Sequence, residues 1–113
     1  MSPEVRLRLL DEQGHPFMGI GVLWLLDGID RSGSLAGAAR GMKLSYPKAL
    51  RMVRELEEAL GQPLVARERG GCQRGGAALT PFGERFRATY RAWLVRVEEL
   101  AREEFAHHFA GLS

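Results

Sequence analysis

Two helical segments, each preceded by a serine and joined by a tight connection, constrain this fold more than any other feature. Ser34 is a favourable N-cap for a short helix. Ser45 is a favourable N-cap for a longer helix, with Pro47 in the first turn, where the missing N–H costs nothing. Only residues 42–44 separate the two. Helix, tight turn and helix in this order predict a helix-turn-helix unit.

Further elements are predicted on both sides of this unit. Residues 21–31 carry apolar side chains at helical spacing, and Gly61 followed by Pro63 ends the third helix. Residues 64–68 and 77–79 are expected to form a hairpin with a glycine-rich tip. Residues 5–9 alternate apolar and basic side chains, which predicts a half-buried strand, with a short return strand at 16–18. The inner faces predicted for the three helices are Val22, Leu25, Leu26 and Ile29, then Leu35, Ala38, Ala39 and Met42, then Ala49, Val53, Leu56 and Leu60.

Thr80 followed by Pro81 predicts the start of a long helix over about residues 81–109. About 28 residues span roughly 40 Å, which exceeds the 26–30 Å or so expected for the diameter of a domain of this size. Either the apolar stripe of this helix packs only on its own core, or the part beyond about residue 95 pairs with a second copy. We expect a twofold dimer, and the residues predicted at its interface are Trp93, Val97, Leu100, Phe105 and Phe109.

The predicted fold class is therefore mainly α with a small β component. It is a winged helix-turn-helix with an N-terminal strand or hairpin and a long C-terminal dimerisation helix. We expect residues 1–113 to form one domain, with a core over about 20–80. An apolar fraction of 45% excludes disorder as the default, and a single cysteine excludes an internal disulfide. No signal peptide or apolar run of 18 residues is visible, so we expect a cytoplasmic protein without membrane contact.

The net charge of +2 conceals blocks of opposite sign. Residues 31–54 hold six Lys or Arg and no acid, and residues 67–96 hold seven Arg against two Glu. An acid-free basic stretch across the helix-turn-helix favours double-stranded DNA as the partner. The alternative is an ordinary solvated surface crossed by salt bridges.

A recognition helix needs donors near its N-terminus that reach base edges and phosphates. Lys48 and Arg51 lie three residues apart on one predicted face and are expected to enter the major groove. Arg54 is placed for a flanking phosphate, and Arg74 for the wing. The complete set of predicted DNA-binding residues is Ser34, Lys43, Ser45, Tyr46, Pro47, Lys48, Arg51, Arg54, Arg67, Arg69 and Arg74.

Catalytic and metal-binding patterns are weak in this sequence. No Ser/His/Asp or Cys/His set is apparent, so we expect no enzyme activity, no cofactor and no metal. Two alternatives to DNA binding remain open at this point. One is a winged-helix module for protein–protein contact that uses the apolar end of the long helix. The other is a single-domain metal or redox sensor that uses Cys72 or the adjacent His107 and His108.

Several segments in the right order resemble a known family. Residues 32–40, 44–50, 63–67 and 79–83, with the glycine-rich loop at 70–76, resemble the N-terminal winged-helix domain of molybdate-dependent, ModE-type transcriptional regulators. The broader helix-turn-helix is similar to the LysR type. The resemblance covers about residues 5–105 and implies a dimer that recognises an operator. Because the molybdate-binding domains of such regulators follow this segment, molybdate sensing is not carried over. A separate effector-binding protein is an open partner.

Overall fold

The computed structural model describes residues 1–67 and 76–112. Four helices and two small antiparallel hairpins follow one another along this part of the chain, so the predicted mainly α winged-helix fold is confirmed. Within these residues, no helix combines the length and the apolar character needed to cross a membrane. The elements are β1 (Leu9–Leu10), β2 (Pro16–Met18), α1 (Ile20–Ser32), α2 (Leu35–Gly41), α3 (Tyr46–Leu60), β3 (Val65–Arg67), β4 (Ala77–Leu79) and α4 (Pro81–Phe109).

Local capping fixes the ends of the central helices. The Ser34 hydroxyl accepts a hydrogen bond from the Gly37 amide at 2.8 Å, and the Ser45 hydroxyl accepts one from the Lys48 amide at 3.2 Å. Each serine thereby satisfies an amide that the first helical turn leaves unpaired. Gly61 ends α3 with a φ of 71°, the left-handed conformation that favours glycine. The predicted caps of α2 and α3 are confirmed.

The core lies between α1, α2, α3 and the second hairpin. Leu25, Leu26 and Leu56 are fully buried within it. At the crossing of α1 and α2, a Cβ added to Gly28 would lie 2.9 Å from the Cβ of Ala38. Small residues at this crossing therefore allow the two backbones to approach closely. Val22, Met42 and Leu60, all predicted to face inward, are only partly buried.

The β3–β4 hairpin is attached to both ends of the helix-turn-helix. Val65 lies opposite Leu79 in its register, and the Ala77 amide donates to the Gly33 carbonyl at 2.8 Å. The Glu57 carboxylate accepts hydrogen bonds from the amides of Leu64 and Val65, at 2.8 and 3.1 Å. These bonds place the stem of the hairpin beside α3.

The predicted N-terminal strand over residues 5–9 is wrong in extent. Only Leu9–Leu10 pairs with β2, and the register is irregular between these two residues. Residues 4–8 instead line a cleft against α1 and α4, where the Leu7 carbonyl accepts a hydrogen bond from the Tyr90 hydroxyl at 2.8 Å. The expected alternation survives, with Val5, Leu7 and Leu9 half-buried, because one side of the segment packs on helices rather than on a second strand.

Helix α4 covers 29 residues and extends well beyond the core. Tyr90 and Leu94 are buried, whereas no described residue after Leu94 is. The molecule measures 63 × 30 × 24 Å, with a radius of gyration of 17.0 Å. A compact chain of this length has a radius of gyration of about 13 Å. The excess arises because the C-terminal part of α4 projects from the globular body.

Candidate nucleic-acid interface

The outward face of α3 is basic over its first half. Lys48, Arg51 and Arg54 are exposed, while Ala49 and Val53 on the opposite side are buried. No acidic residue lies between residues 46 and 54. An exposed helix face that presents only cations is suited to the phosphates and base edges of a major groove.

The start of α3 is open to an anion. Its first turn contains no acidic residue, and Pro47 lies within that turn, so the orphan amides and the positive end of the helix dipole meet no internal counter-charge there. Ser45 caps the turn and is itself exposed. These are the features by which helix N-termini bind phosphate oxygens.

Tyr46 connects the start of α3 to the hairpin. The Arg67 guanidinium on β3 donates a hydrogen bond from Nη1 to the Tyr46 hydroxyl at 3.3 Å. Both side chains are exposed, so this contact lies on the surface rather than in the core. It joins the candidate recognition helix and the candidate wing into one continuous polar surface.

The remaining predicted DNA-binding residues divide into three groups. Lys43 is exposed in the turn between α2 and α3, with a left-handed φ of 57°. Ser34 is half-buried, and its hydroxyl is engaged in capping α2. Arg69 and Arg74, together with Cys72 and the tip of the predicted wing, lie outside the described residues.

Comparison with known proteins identifies the family. Residues 22–84 match the model of the bacterial regulatory helix-turn-helix proteins of the LysR family. The chain belongs to the LysR family. The matched segment contains the helix-turn-helix and the stem of the hairpin, the same surface that presents the basic side chains described above.

Individual relatives agree with this assignment. The chain is 43% identical over 68 residues to the molybdenum transport protein ModE of Azotobacter vinelandii. That match covers 60% of this chain and 25% of the relative. The ModE-like resemblance is thus confirmed, and the match spans about a quarter of this curated relative.

Solved structures show the same fold bound to DNA. A CbnR DNA-binding domain in complex with DNA superimposes with a TM-score of 0.59 and 27% identity, covering 85% of this chain and 100% of that one. A BenM DNA-binding domain in complex with catB site 1 DNA gives a TM-score of 0.58 and 25% identity, covering 85% and 99%. Residues 22–84 of this chain therefore form a LysR-type helix-turn-helix domain, of the kind that these two structures show in complex with DNA.

The second half of α3 in this LysR-type domain has the opposite charge. Glu55 and Glu58 are exposed there, whereas Glu57 turns inward and binds the amides that begin the hairpin. The role of Glu57 was not predicted from the sequence. A carboxylate beside a helix end that leads directly into a strand was the available signal.

No metal cluster supports the sensor alternative within residues 1–67 and 76–112. That part of the chain holds no group of three or more His, Cys, Asp or Glu side chains able to share an ion. The rings of His107 and His108 lie 5.3 Å apart, nearly perpendicular, at the exposed end of α4. Adjacent residues of a helix point in different directions, which separates their ring nitrogens as ligands.

The predicted dimer residues lie on the outer part of α4. Trp93, Leu100 and Phe109 are exposed, whereas Val97 and Phe105 are half-buried. Trp93 was predicted to belong to the apolar stripe of α4, but the side chain that faces the core is that of Leu94. The Tyr90 and Trp93 rings are in edge contact, with centroids 5.9 Å apart.

Proposed function

We propose that this LysR-type domain binds double-stranded DNA as a homodimer and regulates transcription, with α3 in the major groove. The observation that carries the proposal is the acid-free, exposed face of Lys48, Arg51 and Arg54. Lys48 and Arg51 are proposed to contact base edges, and Arg54 a flanking phosphate. Arginine at guanine supplies about 1–3 kcal/mol of discrimination for each well-formed bidentate pair.

The hairpin is proposed to contact the DNA backbone beside the groove. Arg67 is its described cation nearest to α3, and its bond to Tyr46 holds it next to the recognition helix. Arg69 and Arg74, which follow Arg67 along the chain, are proposed to contact the DNA backbone as well. Lys43, with Ser45 and Pro47 at the first turn of α3, is proposed to lie at the phosphates that flank this contact. Ser34 acts there through the helix that it caps.

A homodimer explains the outer part of α4. Its exposed apolar side chains, Trp93, Leu100 and Phe109 among them, are only partly covered by their own described chain. The two ends of α4 also differ in charge. Residues 81–96 hold four Arg and one Glu, a net +3, and residues 97–109 hold one Arg and four Glu, a net −3. An antiparallel pair places unlike halves together, whereas a parallel pair places like halves together.

Fluorescence anisotropy with a labelled operator duplex, selected from a random pool by the wild-type protein, tests the proposal. We expect the logarithm of the affinity to fall linearly with the logarithm of the salt concentration, because binding releases counter-ions from phosphates. Arg51→Ala should weaken operator binding by about tenfold or more, and binding to a random duplex by much less.

Arg102→Ala is the matched control, since it removes the same charge from an exposed position at the far end of α4. Its affinity for both duplexes should stay close to wild type. If Arg51→Ala lowers the affinity for operator and random DNA equally, Arg51 contacts a phosphate and not a base edge. Absence of any binding at low salt would refute the proposed function as a whole.

A further inference from the structure

Two sets of contacts hold α4 on the body of the domain. The first lies at its start, where Gly83 packs closely on the Leu64 carbonyl. The second lies about one to two turns further along, where Arg87 and Arg91 reach Asp27 of α1. A helix held at one point can pivot about that point, whereas a second attachment fixes its direction. The contact with Asp27 is therefore placed to set the angle between α4 and the body.

Both carboxylate oxygens of Asp27 are engaged. Nη2 of Arg91 lies 2.5 Å from Oδ1 and 2.6 Å from Oδ2, and Nη1 of Arg87 lies 3.3 Å from Oδ1. The same Arg87 nitrogen lies 3.3 Å from Asp30, so two acids of α1 meet two arginines of α4. The side chains of Asp27 and Arg87 are only 19% and 23% exposed, so solvent screens their attraction less than that of a surface pair. Charge-assisted hydrogen bonds also add geometric specificity to the contact.

The other contacts of α4 at this level constrain its direction less. Leu94 is buried by apolar packing, which is non-directional. The Tyr90 hydroxyl donates to the Leu7 carbonyl, but Leu7 belongs to the N-terminal arm, defined here as residues 3–8, which forms neither helix nor strand. Such a segment can follow a small rotation of α4, whereas α1 is fixed in the core by its buried side chains.

A small change in this angle is amplified along the projecting part of α4. From Leu94 to Phe109 the helix is about 22 Å long, at 1.5 Å per residue. A rotation of about 10° at the body therefore displaces the far end by about 4 Å. That displacement is comparable with the rise of one base pair of DNA, about 3.4 Å. The angle thus matters on the scale at which DNA sites differ.

We infer that Asp27, through Arg87 and Arg91, sets the spacing between the two half-sites that the protein reads. The inference rests on the proposed homodimer, in which the two α4 helices join the two bodies. Each α3 is then placed relative to its partner by the angle at which its body sits on α4. Dimeric helix-turn-helix proteins read half-sites whose separation matches the distance between their recognition helices. Asp27 is a positioning residue, which acts on DNA recognition through α4.

Fluorescence anisotropy on a set of duplexes tests this role. The set contains the selected operator, the same operator with one to three base pairs inserted or removed between its half-sites, and a duplex with a single half-site. We expect wild type to lose about tenfold or more in affinity when the spacing changes by two base pairs. Arg91→Gln should flatten that loss to about threefold or less and leave the affinity for the single half-site nearly unchanged, because α3 is untouched. Asp27→Asn, which breaks the same contact from the α1 side, should give the same flattened dependence.

Arg85→Gln is the matched control. It removes the same charge from the same helix, at an exposed side chain that lies over the Phe82 ring of α4 itself. A contact within one helix cannot fix the angle of that helix on the body, so this variant should keep the wild-type dependence on spacing.

The outcomes separate this role from the homodimer on which it rests. If Arg91→Gln and Asp27→Asn, shown to be folded by circular dichroism, keep the wild-type dependence on spacing, the role of Asp27 is overturned and the homodimer stands. A dimeric wild type whose affinity ignores the spacing has the same consequence. A wild-type chain that stays monomeric in sedimentation equilibrium, with and without operator, would overturn the homodimer and this inference together.

Discussion

The two ends of α4 differ in the contacts that each makes with the rest of its own chain. At its start, the Thr80 hydroxyl donates to the Pro63 carbonyl and accepts from the Gly83 amide, both at 2.9 Å. Gly83 then packs directly beneath the Leu64 carbonyl. At its end, Phe105 and Phe109 contact each other, and no described residue beyond Leu94 is buried. The first end is fixed by its own domain, so its substitutions act on folding. The second is little covered by its own domain, so in the proposed homodimer its substitutions should act on association.

Gly83→Ala should produce the largest effect at the fixed end. A Cβ at this position would overlap the Leu64 carbonyl oxygen, a backbone atom that cannot move aside cheaply. We expect a loss of about 3 kcal/mol in the free energy of unfolding, measured by urea denaturation. Gly111→Ala, with nothing close to the added Cβ, is the control and should be nearly neutral.

Tyr90→Phe should cost about 1–3 kcal/mol, because it leaves the Leu7 carbonyl without its hydrogen-bond donor. Burial raises the pKa of Tyr90 above its ordinary value of 10.0, so the folded chain holds this proton more tightly than the unfolded chain. The corresponding stability is fully present below pH 10 and is lost as the pH rises further. Urea titrations across that pH range should show a steeper decline for wild type than for Tyr90→Phe. Equal slopes would contradict the assignment.

Asp27→Asn should have a smaller effect, about 1 kcal/mol, by weakening the ion pairs between α1 and α4. Arg91 lies 2.5 and 2.6 Å from the two Asp27 carboxylate oxygens, and Arg87 lies 3.3 Å from one of them. The loss should shrink at high salt, in thermal melts recorded at two ionic strengths. Glu99→Gln, which breaks only the exposed pair with Arg96, should change stability less.

Phe109→Ala should have the smallest effect on folding, less than about 0.5 kcal/mol in dilute solution, because a half-exposed side chain buries little surface in its own chain. The same substitution should remove the dependence of the melting temperature on protein concentration. A large loss of stability in dilute solution would show that this end of α4 packs on its own domain after all.

The helices were predictable because their signals are local. Ser34, Ser45 and Thr80 each accept the amide three residues ahead, and residue spacing alone revealed the buried faces. The N-terminal strand was predicted too long because alternation reports which side chains are covered but not what covers them. A stretch that packs on helices gives the same pattern as a strand in a sheet.

One part of the candidate DNA-binding site was also predictable from local sequence, and another part was not. The exposed face of Lys48, Arg51 and Arg54 was predicted from helical spacing, and the structure places all three outside the core. That they contact DNA stays a prediction, as does the single-domain extent of residues 1–113. The bond between Tyr46 and Arg67 was not predictable, because 21 residues separate them and only the returning hairpin brings them together.

The sequence by itself determined where the helices begin and end, which faces they bury and where positive charge accumulates. These properties depend on contacts within three or four residues, for which spacing is sufficient information. Only the tertiary structure decided that Glu57 holds the hairpin, that Tyr90 binds the N-terminal arm and that α4 leaves the core after Leu94. Each of these depends on the angle at which distant segments pack, and that angle is set by the whole core at once.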